Sequence, residues 1–376
     1  MNATLTAERA ELRRSVRRLL EERSPVREAR RLTDSAEGWD RGLWSRMAGE
    51  LGLHGLSLPE EHGGQGFSVD ELAVVLEEMG RVLLCAPFLS TVCLAAPAIL
   101  HAGTDAQRRA FLPGIASGAV TATLAMTEMS GRWDAEGIAT EAVRTGGGWR
   151  LDGTKMFVVD GATADLLVVA ARRPRSTGPD GVSLFTVGGG AAGVERTPLS
   201  TMDTTRRLAR VDMRGACAEL LGDEGGGWAP LSRTLDEAAV CLAAEMVGGA
   251  QRCLEMSVEY AKTRVQFGRP IGSFQAIKHK CADMLVEVET ARSAVAHAAW
   301  AAASDPAELP VAASMAKAYC SEAYVHAAAE TIQIHGGIGF TWEHDAHLYF
   351  RRAKSSEVLL GAPSYHRELV AHRVGI

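Results

Sequence analysis

Residues 264–275 read Arg-Val-Gln-Phe-Gly-Arg-Pro-Ile-Gly-Ser-Phe-Gln, and they mark the place where one helical pattern stops and another starts. Gly268 permits a tight turn, and a new helix is expected to begin near Ser273. Beyond that point, apolar residues recur at intervals of four and three, the spacing of one buried helix face. They are Ile277, Cys281, Met284, Val288, Ala291 and Val295. The sequence therefore predicts a turn that joins two long, packed helices.

The segments on either side of this turn differ in their patterning. Residues 1–118 show helical periodicity, residues 119–225 contain short β-prone runs, and residues 226–376 are helical again. This order predicts an α+β fold, mainly α, with an N-terminal helical domain, a middle β domain and a C-terminal helical domain. No Gly-x-Gly-x-x-Gly motif follows a strand, so a Rossmann dinucleotide site is disfavoured.

Turn and cap residues place the ends of several predicted elements. The runs Trp149–Leu151 and Met156–Val159 are expected to be separate strands, because Asp152-Gly153 between them is a turn dipeptide. Asp-Gly pairs at 160–161 and 180–181 predict two further turns. Asp70 is a suitable N-cap for the helix that follows it.

Composition limits the classes of function. The 376 residues are 47% apolar, enough for a large core, and carry a formal charge of −6 from 40 basic and 46 acidic residues. Basic residues are therefore not in excess, as they usually are in proteins that bind nucleic acid. No apolar stretch reaches the roughly 18 residues of a membrane span, and the N-terminus has no apolar signal core. We therefore expect a cytoplasmic protein that binds neither nucleic acid nor membrane.

Three segments carry residues with ligand-binding chemistry. Arg264 is suited to clamp a pyrophosphate, with Phe267 as a flat face for a ring, although an Arg that pairs with a surface carboxylate is the competing interpretation. Residues 333–340 place three Gly in four positions, which suits close approach of backbone N–H groups to an anion or, alternatively, a helix C-cap. Thr127, in a loop that leads into the β domain, is suited to hydrogen-bond a heterocycle.

Together these segments resemble the acyl-CoA dehydrogenase family, and the resemblance covers nearly the whole chain. Its most specific parts are Arg264-x-Gln-Phe-Gly with Phe274-Gln275, and Gln333-x-x-Gly-Gly-x-Gly-Phe. Further resemblance to the family's N-terminal loop and to its hinge before the last domain is carried by residues 51–55, 59–64, 76–81 and 221–228. Several matches in the same order are stronger than any one alone.

The resemblance implies a β-barrel-like middle domain, a C-terminal four-helix bundle, and FAD between them. A neighbouring subunit would complete each FAD site, so a homodimer or homotetramer is expected. The implied substrate is an acyl thioester of CoA or of a carrier protein, and the implied electron acceptor is an electron-transfer flavoprotein. The implied residues for the adenine and pyrophosphate end are Arg264, Gln266, Phe267, Gln275, Gln333, Gly336 and Gly337. The implied isoalloxazine region is residues 124–133 and 157–159, with Thr127, Trp133, Phe157 and Val159.

Two departures from the family pattern lie in the isoalloxazine region. The family's loop usually ends Gly-Ser-Asp, whereas Arg132-Trp133-Asp134 stands here. A Ser hydroxyl is therefore absent, and a bulky ring is expected to cover the flavin or narrow the site. The family also commonly has Thr where Val159 stands, and that hydroxyl can bond flavin N5. Val159 cannot, which is a loss of about 1 kcal/mol in a dry site.

The third departure concerns the general base. Usual members have a Glu-Gly pair where Leu360-Gly361 stands, and some relatives place the base at the position of Ala238; neither Leu nor Ala accepts a proton. Loss of a positioned base typically costs about 10²–10⁴-fold in rate. Glu245 is the candidate substitute, because apolar residues flank it, and the backbone N–H of Leu360 is still expected to polarise a thioester carbonyl. Weaker candidate bases are Asp236, Glu237 and Glu357.

Three hypotheses are open for the activity. The first is an FAD-dependent acyl-thioester dehydrogenase with a non-standard base. The second is a non-catalytic subunit that completes the FAD site of a homologous partner in a hetero-oligomer. The third is a repurposed flavoenzyme that acts on a carrier-bound acyl group or uses oxygen. No metal site is expected, because His335, His344 and His347 match no known ligand spacing.

Overall fold

The fold is that of a computed structural model, in which residues 7–376 are described. The helices are α1 (Ala7–Arg23), α2 (Val26–Thr33), α3 (Arg41–Gly49), α4 (Val69–Arg81), α5 (Ala96–Ala102), α6 (Asp105–Ala116), α7 (Trp228–Thr263), α8 (Gln275–Ser304), α9 (Leu309–His335), α10 (Ala346–Val358) and α11 (Pro363–Arg373). The strands are β1 (Ala122–Ala125), β2 (Glu141–Thr145), β3 (Gly148–Val159), β4 (Leu166–Arg172), β5 (Val182–Gly188), β6 (Val194–Pro198), β7 (Leu208–Leu221), β8 (Val265–Gln266) and β9 (Arg269–Pro270).

These elements divide into two compact units. The helical unit consists of the described residues up to Thr33, Val69–Leu84 and Ala239–Ile376. The sheet unit consists of Asp34–Ser68 and Cys85–Ala238, and it contains β1 to β7. Helix α7 passes from one unit into the other. The division into three domains, with boundaries at residues 118 and 225, stays a prediction. The first six residues of its N-terminal domain lie outside the described part of the chain.

A seven-stranded sheet forms the core of the sheet unit. Its strands follow the order β1-β4-β2-β3-β7-β5, β6 pairs with β7, and β4 also pairs with β5. The first pair, β1 and β4, is parallel, whereas β3 and β7 run antiparallel. Alternate strand residues point inward, and Leu151, Leu167, Phe185 and Val211 lie in a fully buried apolar cluster. The predicted α+β class, mainly α with a barrel-like sheet, is confirmed.

Strand β3 is longer than the sequence predicts. The predicted turn at Asp152-Gly153 is wrong, because both residues lie inside β3, where its register against β7 shifts between Leu151 and Gly153. Gly153 has a φ of +156°, and a Cβ there would meet the Thr140 hydroxyl at 2.5 Å. The Gly therefore serves a bulge and a close contact rather than a turn. A second register shift follows Lys155.

The helical unit confirms the apolar stripe on α8. Its buried residues include Met284, Val288, Ala291 and Val295, while the first two residues of the stripe are only half-buried. Helix α9 packs against α8, α10 and α11. No helix within residues 7–376 is long and apolar enough to cross a bilayer.

The predicted N-cap of α4 is wrong. The helix begins at Val69, so Asp70 lies inside its first turn rather than before it. There its carboxylate accepts a hydrogen bond from Arg9 at 3.0 Å, because α1 packs against α4. A contact from a distant helix thus replaces the local cap that the sequence favours.

Candidate active site

In the sheet unit, the predicted isoalloxazine region is built from the loop after β1 and the end of β3. Thr127 is 4% exposed, and its hydroxyl donates to the Met156 carbonyl at 2.7 Å. The Met156 N–H donates back to the Thr127 carbonyl at 2.8 Å. Because its hydroxyl hydrogen is already engaged, Thr127 has only acceptor capacity left on that oxygen for a ligand.

A buried ion pair fixes this loop to β3. The Lys155 ammonium is fully buried and donates to Glu128 Oε1 at 2.6 Å and to the Met126 carbonyl at 3.1 Å. The same Glu128 oxygen accepts from the Ala139 and Thr140 N–H groups at 3.0 and 2.8 Å. Burial raises the pKa of Glu128, but the Lys155 charge and these hydrogen bonds outweigh it and leave the pKa lowered. The carboxylate is therefore ionised at neutral pH. It joins the loop after β1 to Lys155 on β3 and to the backbone of Ala139 and Thr140.

The strand end next to this ion pair has an irregular backbone. Phe157 lies within the second register shift of β3, has a φ of +57° and is 43% exposed, whereas Val159 is buried. A left-handed Phe is uncommon, and such strain is concentrated at binding sites. Trp133 lies half-buried in the loop after β1, between Arg132 and Asp134, which pair with each other at 2.8 Å.

The helical unit carries the other predicted ligand segments. Arg264 follows the end of α7 and precedes the β8–β9 hairpin, and its exposed guanidinium forms no ion pair with a carboxylate of residues 7–376. The surface ion pair that competed with ligand binding is thus not observed in the described chain. Phe267 has a φ of +53° and is 92% exposed at the hairpin tip, and Gln266 and Gln275 are exposed as well.

The glycine cluster after α9 separates into glycines with and without a local role. Gly336 has a φ of +62° and ends the helix, as a C-cap requires. A Cβ at Gly339 would meet the Ile332 carbonyl at 2.9 Å, so packing accounts for that Gly. At Gly337 the φ is ordinary and nothing lies within 4 Å of a Cβ. Next to the exposed Gln333, this position leaves room for a ligand to approach the backbone.

The turn that replaces the usual Glu-Gly pair lies between α10 and α11. Leu360 is buried with a φ of +60°, and Gly361 has a φ of +103°. The Leu360 carbonyl accepts from His366 Nε2 at 2.9 Å, and the Gly361 carbonyl accepts from Lys317 Nζ at 2.8 Å. No acceptor for the Leu360 N–H is found within the described residues.

The predicted substitute base is held in an ion pair. Glu245 is 7% exposed, and its Oε1 accepts from Arg352 Nη1 at 2.7 Å; the Arg352 side chain is 3% exposed. A carboxylate stabilised in this way is a weak proton acceptor, because protonation would leave a buried guanidinium uncompensated. Its assignment as the base stays a prediction.

The weaker candidate bases are also engaged. Glu237, in the sheet unit, accepts from Arg233 at 3.0 Å and lies 2.8 Å from His101. Burial raises the pKa of Glu237, but these partners outweigh it and leave the pKa lowered. Glu357 pairs with Lys354 on α10. Ala238, the alternative base position, is fully buried and apolar.

Two of the three His residues of the C-terminal segment, His335 and His344, are in ring contact, whereas the His347 ring lies against Trp342. The rings of His335 and His344 are 4.3 Å apart, and His335 Nδ1 donates a hydrogen bond to the Thr331 carbonyl at 2.7 Å. Burial lowers the pKa of His335, His344 and His347. No group of three or more His, Cys, Asp or Glu suited to a metal ion occurs in residues 7–376.

Sequence reasoning missed the polar residues that support these segments. Lys155, Lys317 and His366 do not belong to any ligand motif, yet all three are buried and bond to the candidate site loops. One signal was available for Lys317, which stands between Ala316 and Ala318 in an apolar helical run. A Lys in such a run is buried only when it has partners.

Known proteins are similar to this chain in sequence and fold over most of their length. Three family models match, the N-terminal, middle and C-terminal domains of acyl-CoA dehydrogenase, at residues 6–119, 123–214 and 225–375. The acyl-CoA dehydrogenase IpdE2 of Mycobacterium tuberculosis is 39% identical over 95% of this chain and 94% of its own.

Two solved structures are similar as well. Butyryl-CoA dehydrogenase from Megasphaera elsdenii superposes with a TM-score of 0.92 at 28% identity, covering 100% of both chains. A chain of the ChsE4-ChsE5 complex from Mycobacterium tuberculosis superposes with a TM-score of 0.88 at 30% identity, covering 100% of this chain and 99% of that one. On these matches and on the described site segments, the chain belongs to the acyl-CoA dehydrogenase family of flavin-dependent oxidoreductases.

Proposed function

We propose that this chain binds FAD and works in the α,β-dehydrogenation of an acyl thioester. The observation that carries the proposal is the pair of open ligand segments in the helical unit. Arg264 presents a guanidinium without a carboxylate partner in the described chain, and Gly337 leaves its backbone open. A guanidinium and accessible backbone N–H groups are suited to a diphosphate, so the residues fit the group that the family implies.

Each segment has a distinct task in this proposal. Arg264, Gln266, Gln275, Gln333, Gly336 and Gly337 would hold the adenine and pyrophosphate end, with Phe267 against a ring. Thr127, Phe157, Val159 and Trp133 would surround the isoalloxazine. Bound FAD supplies an acceptor for the hydride from the substrate's β-carbon. The Leu360 N–H would hydrogen-bond the thioester carbonyl and so stabilise negative charge that develops there when the α-proton leaves.

A spectrum of the purified protein tests this proposal. We expect stoichiometric FAD with visible absorption near that of other flavoproteins, and bleaching of that absorption when acyl thioesters are added without oxygen. Arg264→Met should weaken FAD binding at least about tenfold, since a charge-assisted contact is lost. Arg269→Met, a neighbouring exposed Arg over the Phe274 ring, is the matched control. Protein that stays colourless with added FAD would contradict the proposal.

A second candidate function is favoured by the two apolar base positions. Leu360 and Ala238 accept no proton, and Glu245 is held by Arg352. One relative, the ChsE4-ChsE5 complex, is an assembly of two different chains. We propose as the alternative that this chain is the non-catalytic subunit of a hetero-oligomer, in which a homologous partner supplies the base and this chain completes the FAD site.

Restoring a carboxylate separates the two functions. Under the second candidate, thioester does not bleach any flavin that the wild-type chain holds by itself, whereas Leu360→Glu restores a base and bleaches that flavin at least about 100-fold faster. Leu360→Gln has the same shape and no base, and should stay inert. Rapid bleaching by the wild-type chain alone would exclude the second candidate. Loss of that activity in Glu245→Gln would then identify Glu245 as the base.

A further inference from the structure

The turn between α10 and α11 is unusual in its backbone. Leu360 is an L-residue in the left-handed region, with a φ of +60°, and it is buried. This conformation costs free energy for any residue that has a Cβ, so surrounding contacts must hold it. The next residue, Gly361, has a φ of +103°, and a Cβ there would meet the Tyr365 ring at 2.3 Å.

The first contact that holds the turn is a buried ammonium. Lys317 on α9 is fully buried, and its Nζ donates to the carbonyls of Ser356, Glu357 and Gly361 at 3.1, 2.9 and 2.8 Å. It also lies 3.2 Å from the Ser321 hydroxyl. Two of these carbonyls belong to the last turn of α10, where helix carbonyls lack internal partners and the helix dipole favours a cation. The ammonium therefore joins the helix end to the turn.

The second contact is a neutral imidazole. His366 on α11 donates from Nε2 to the Leu360 carbonyl at 2.9 Å, while its Nδ1 lies 3.3 Å from the Ser314 hydroxyl. The Ser314 oxygen in turn accepts from Arg373 at 2.8 Å, so its hydrogen is free to donate to Nδ1. Burial and the nearby Lys317 charge lower the pKa of His366 to about 4. The ring therefore keeps one N–H at neutral pH, directed at Leu360.

We propose that Lys317 and His366 are positioning residues that hold the Leu360–Gly361 turn so that the Leu360 N–H can bind the thioester carbonyl. The inference rests on the proposed function, and it adds residues that no ligand motif contains. The contact to the thioester is made by the backbone, so it does not need a particular side chain at position 360. It does need the hydrogen bonds from Lys317 and His366 that hold this backbone in place.

The experiment compares Lys317→Met with a matched control, Thr331→Val. Both positions are buried on α9, and the Thr331 hydroxyl bonds Cys253 and Ser257, away from the turn. Hydrogen exchange of residues 356–364 and the affinity for an enoyl-CoA, read from the flavin spectrum, are measured for both. We expect Lys317→Met to exchange faster and to bind enoyl-CoA about tenfold more weakly, with unchanged FAD affinity. Thr331→Val should change neither property, whatever its thermal stability.

Variants of His366 provide an independent test of the proposal. His366→Gln keeps a donor that can reach the Leu360 carbonyl and should retain most of the enoyl-CoA affinity, whereas His366→Leu should lose about as much as Lys317→Met. Equal affinities for all variants, or equal losses in Thr331→Val, would overturn the inference. If the wild-type chain binds no thioester, the proposed function fails, and the exchange data still decide whether the two side chains hold the turn.

Discussion

At the scale of single residues, buried ion pairs fix the backbone in each of the two units. Lys155 and Glu128 hold the Thr127 loop, and Glu245 pairs with Arg352 inside the helical unit. Burying such pairs costs solvation, and breaking one partner leaves a buried charge behind. These residues therefore set the stability of the site more than its chemistry.

Lys155→Met should destabilise the protein by about 3–5 kcal/mol, because Glu128 would remain buried without its cation. Burial lowers the pKa of Lys155 to about 8, and the nearby Glu128 carboxylate offsets part of that shift. Each charge of the pair is therefore stabilised by the other. Urea unfolding measures the change. The double variant Lys155→Met with Glu128→Gln should recover part of the loss, and a double variant no more stable than the single one would contradict this account.

His54 makes the sheet unit sensitive to acid. Its ring is fully buried, 3.8 Å from Trp44 and 5.7 Å from Phe88, and neither of its nitrogens has a hydrogen-bond partner within the described residues. Burial lowers the pKa of His54 from 6.5 to about 3. Between these values the unfolded chain binds a proton that the folded chain does not, so stability is complete above pH 6.5 and falls as the pH drops toward 3.

His54→Phe should remove this contribution while keeping an aromatic ring in place. Between pH 7.5 and pH 4.5, the free energy of unfolding should fall by about 2 kcal/mol less in the variant than in the wild type. Thermal or urea unfolding at the two pH values provides the comparison. His326→Phe, at an exposed His on α9, is the control for the loss of a His elsewhere in the chain. Parallel pH profiles for wild type and His54→Phe would show that another group is responsible.

At the scale of elements, glycines allow α4 and α7 to cross at backbone contact. A Cβ at Gly248 would lie 1.8 Å from the Glu77 carbonyl oxygen, and a Cβ at Gly80 would lie 1.9 Å from that of Glu245. No side chain fits between the two backbones there. The same crossing places the Glu245 segment of α7 directly against α4, on which Glu77 and Glu78 bind Arg13.

Gly248→Ala should therefore push the two helices apart and cost at least about 2 kcal/mol, although Ala is the better helix former. Gly49→Ala is the control, since Gly49 lies in α3 with nothing within 4 Å of its Cβ position. That variant should be neutral or slightly more stable. A stable Gly248→Ala protein with an unchanged melting temperature would refute the close crossing.

At the scale of the whole molecule, large apolar side chains in or next to the predicted FAD segments are open to solvent. Phe267 is 92% exposed, Phe340 85% and Trp342 68%, all in the helical unit. Side chains of this size are normally buried or lie in interfaces. This exposure supports the expectation that a neighbouring subunit completes the site.

We expect a mass of at least twice the 40.0 kDa of one chain in light scattering, for a homo-oligomer or a mixed assembly. The double variant Phe267→Ala with Phe340→Ala should lower the measured mass and release FAD. The reason is that two exposed aromatic side chains would no longer contact the neighbouring subunit. Met202→Ala, at a 54% exposed position in the sheet unit outside the predicted FAD segments, is a control for general loss of apolar surface. A species of one chain that retains FAD would contradict a shared site.

The sequence by itself determined the order of helical, β and helical segments, the stripe on α8 and the glycine-rich ligand segments. These features follow from short-range periodicity and backbone preference, which a few neighbouring residues set. Only the tertiary structure decided that Asp152-Gly153 is a bulge, that Glu245 meets Arg352 from 107 positions away, and that Lys317 and His366 hold the Leu360 turn. Such contacts depend on which faces pack together, and no local pattern encodes the partner of a buried charge.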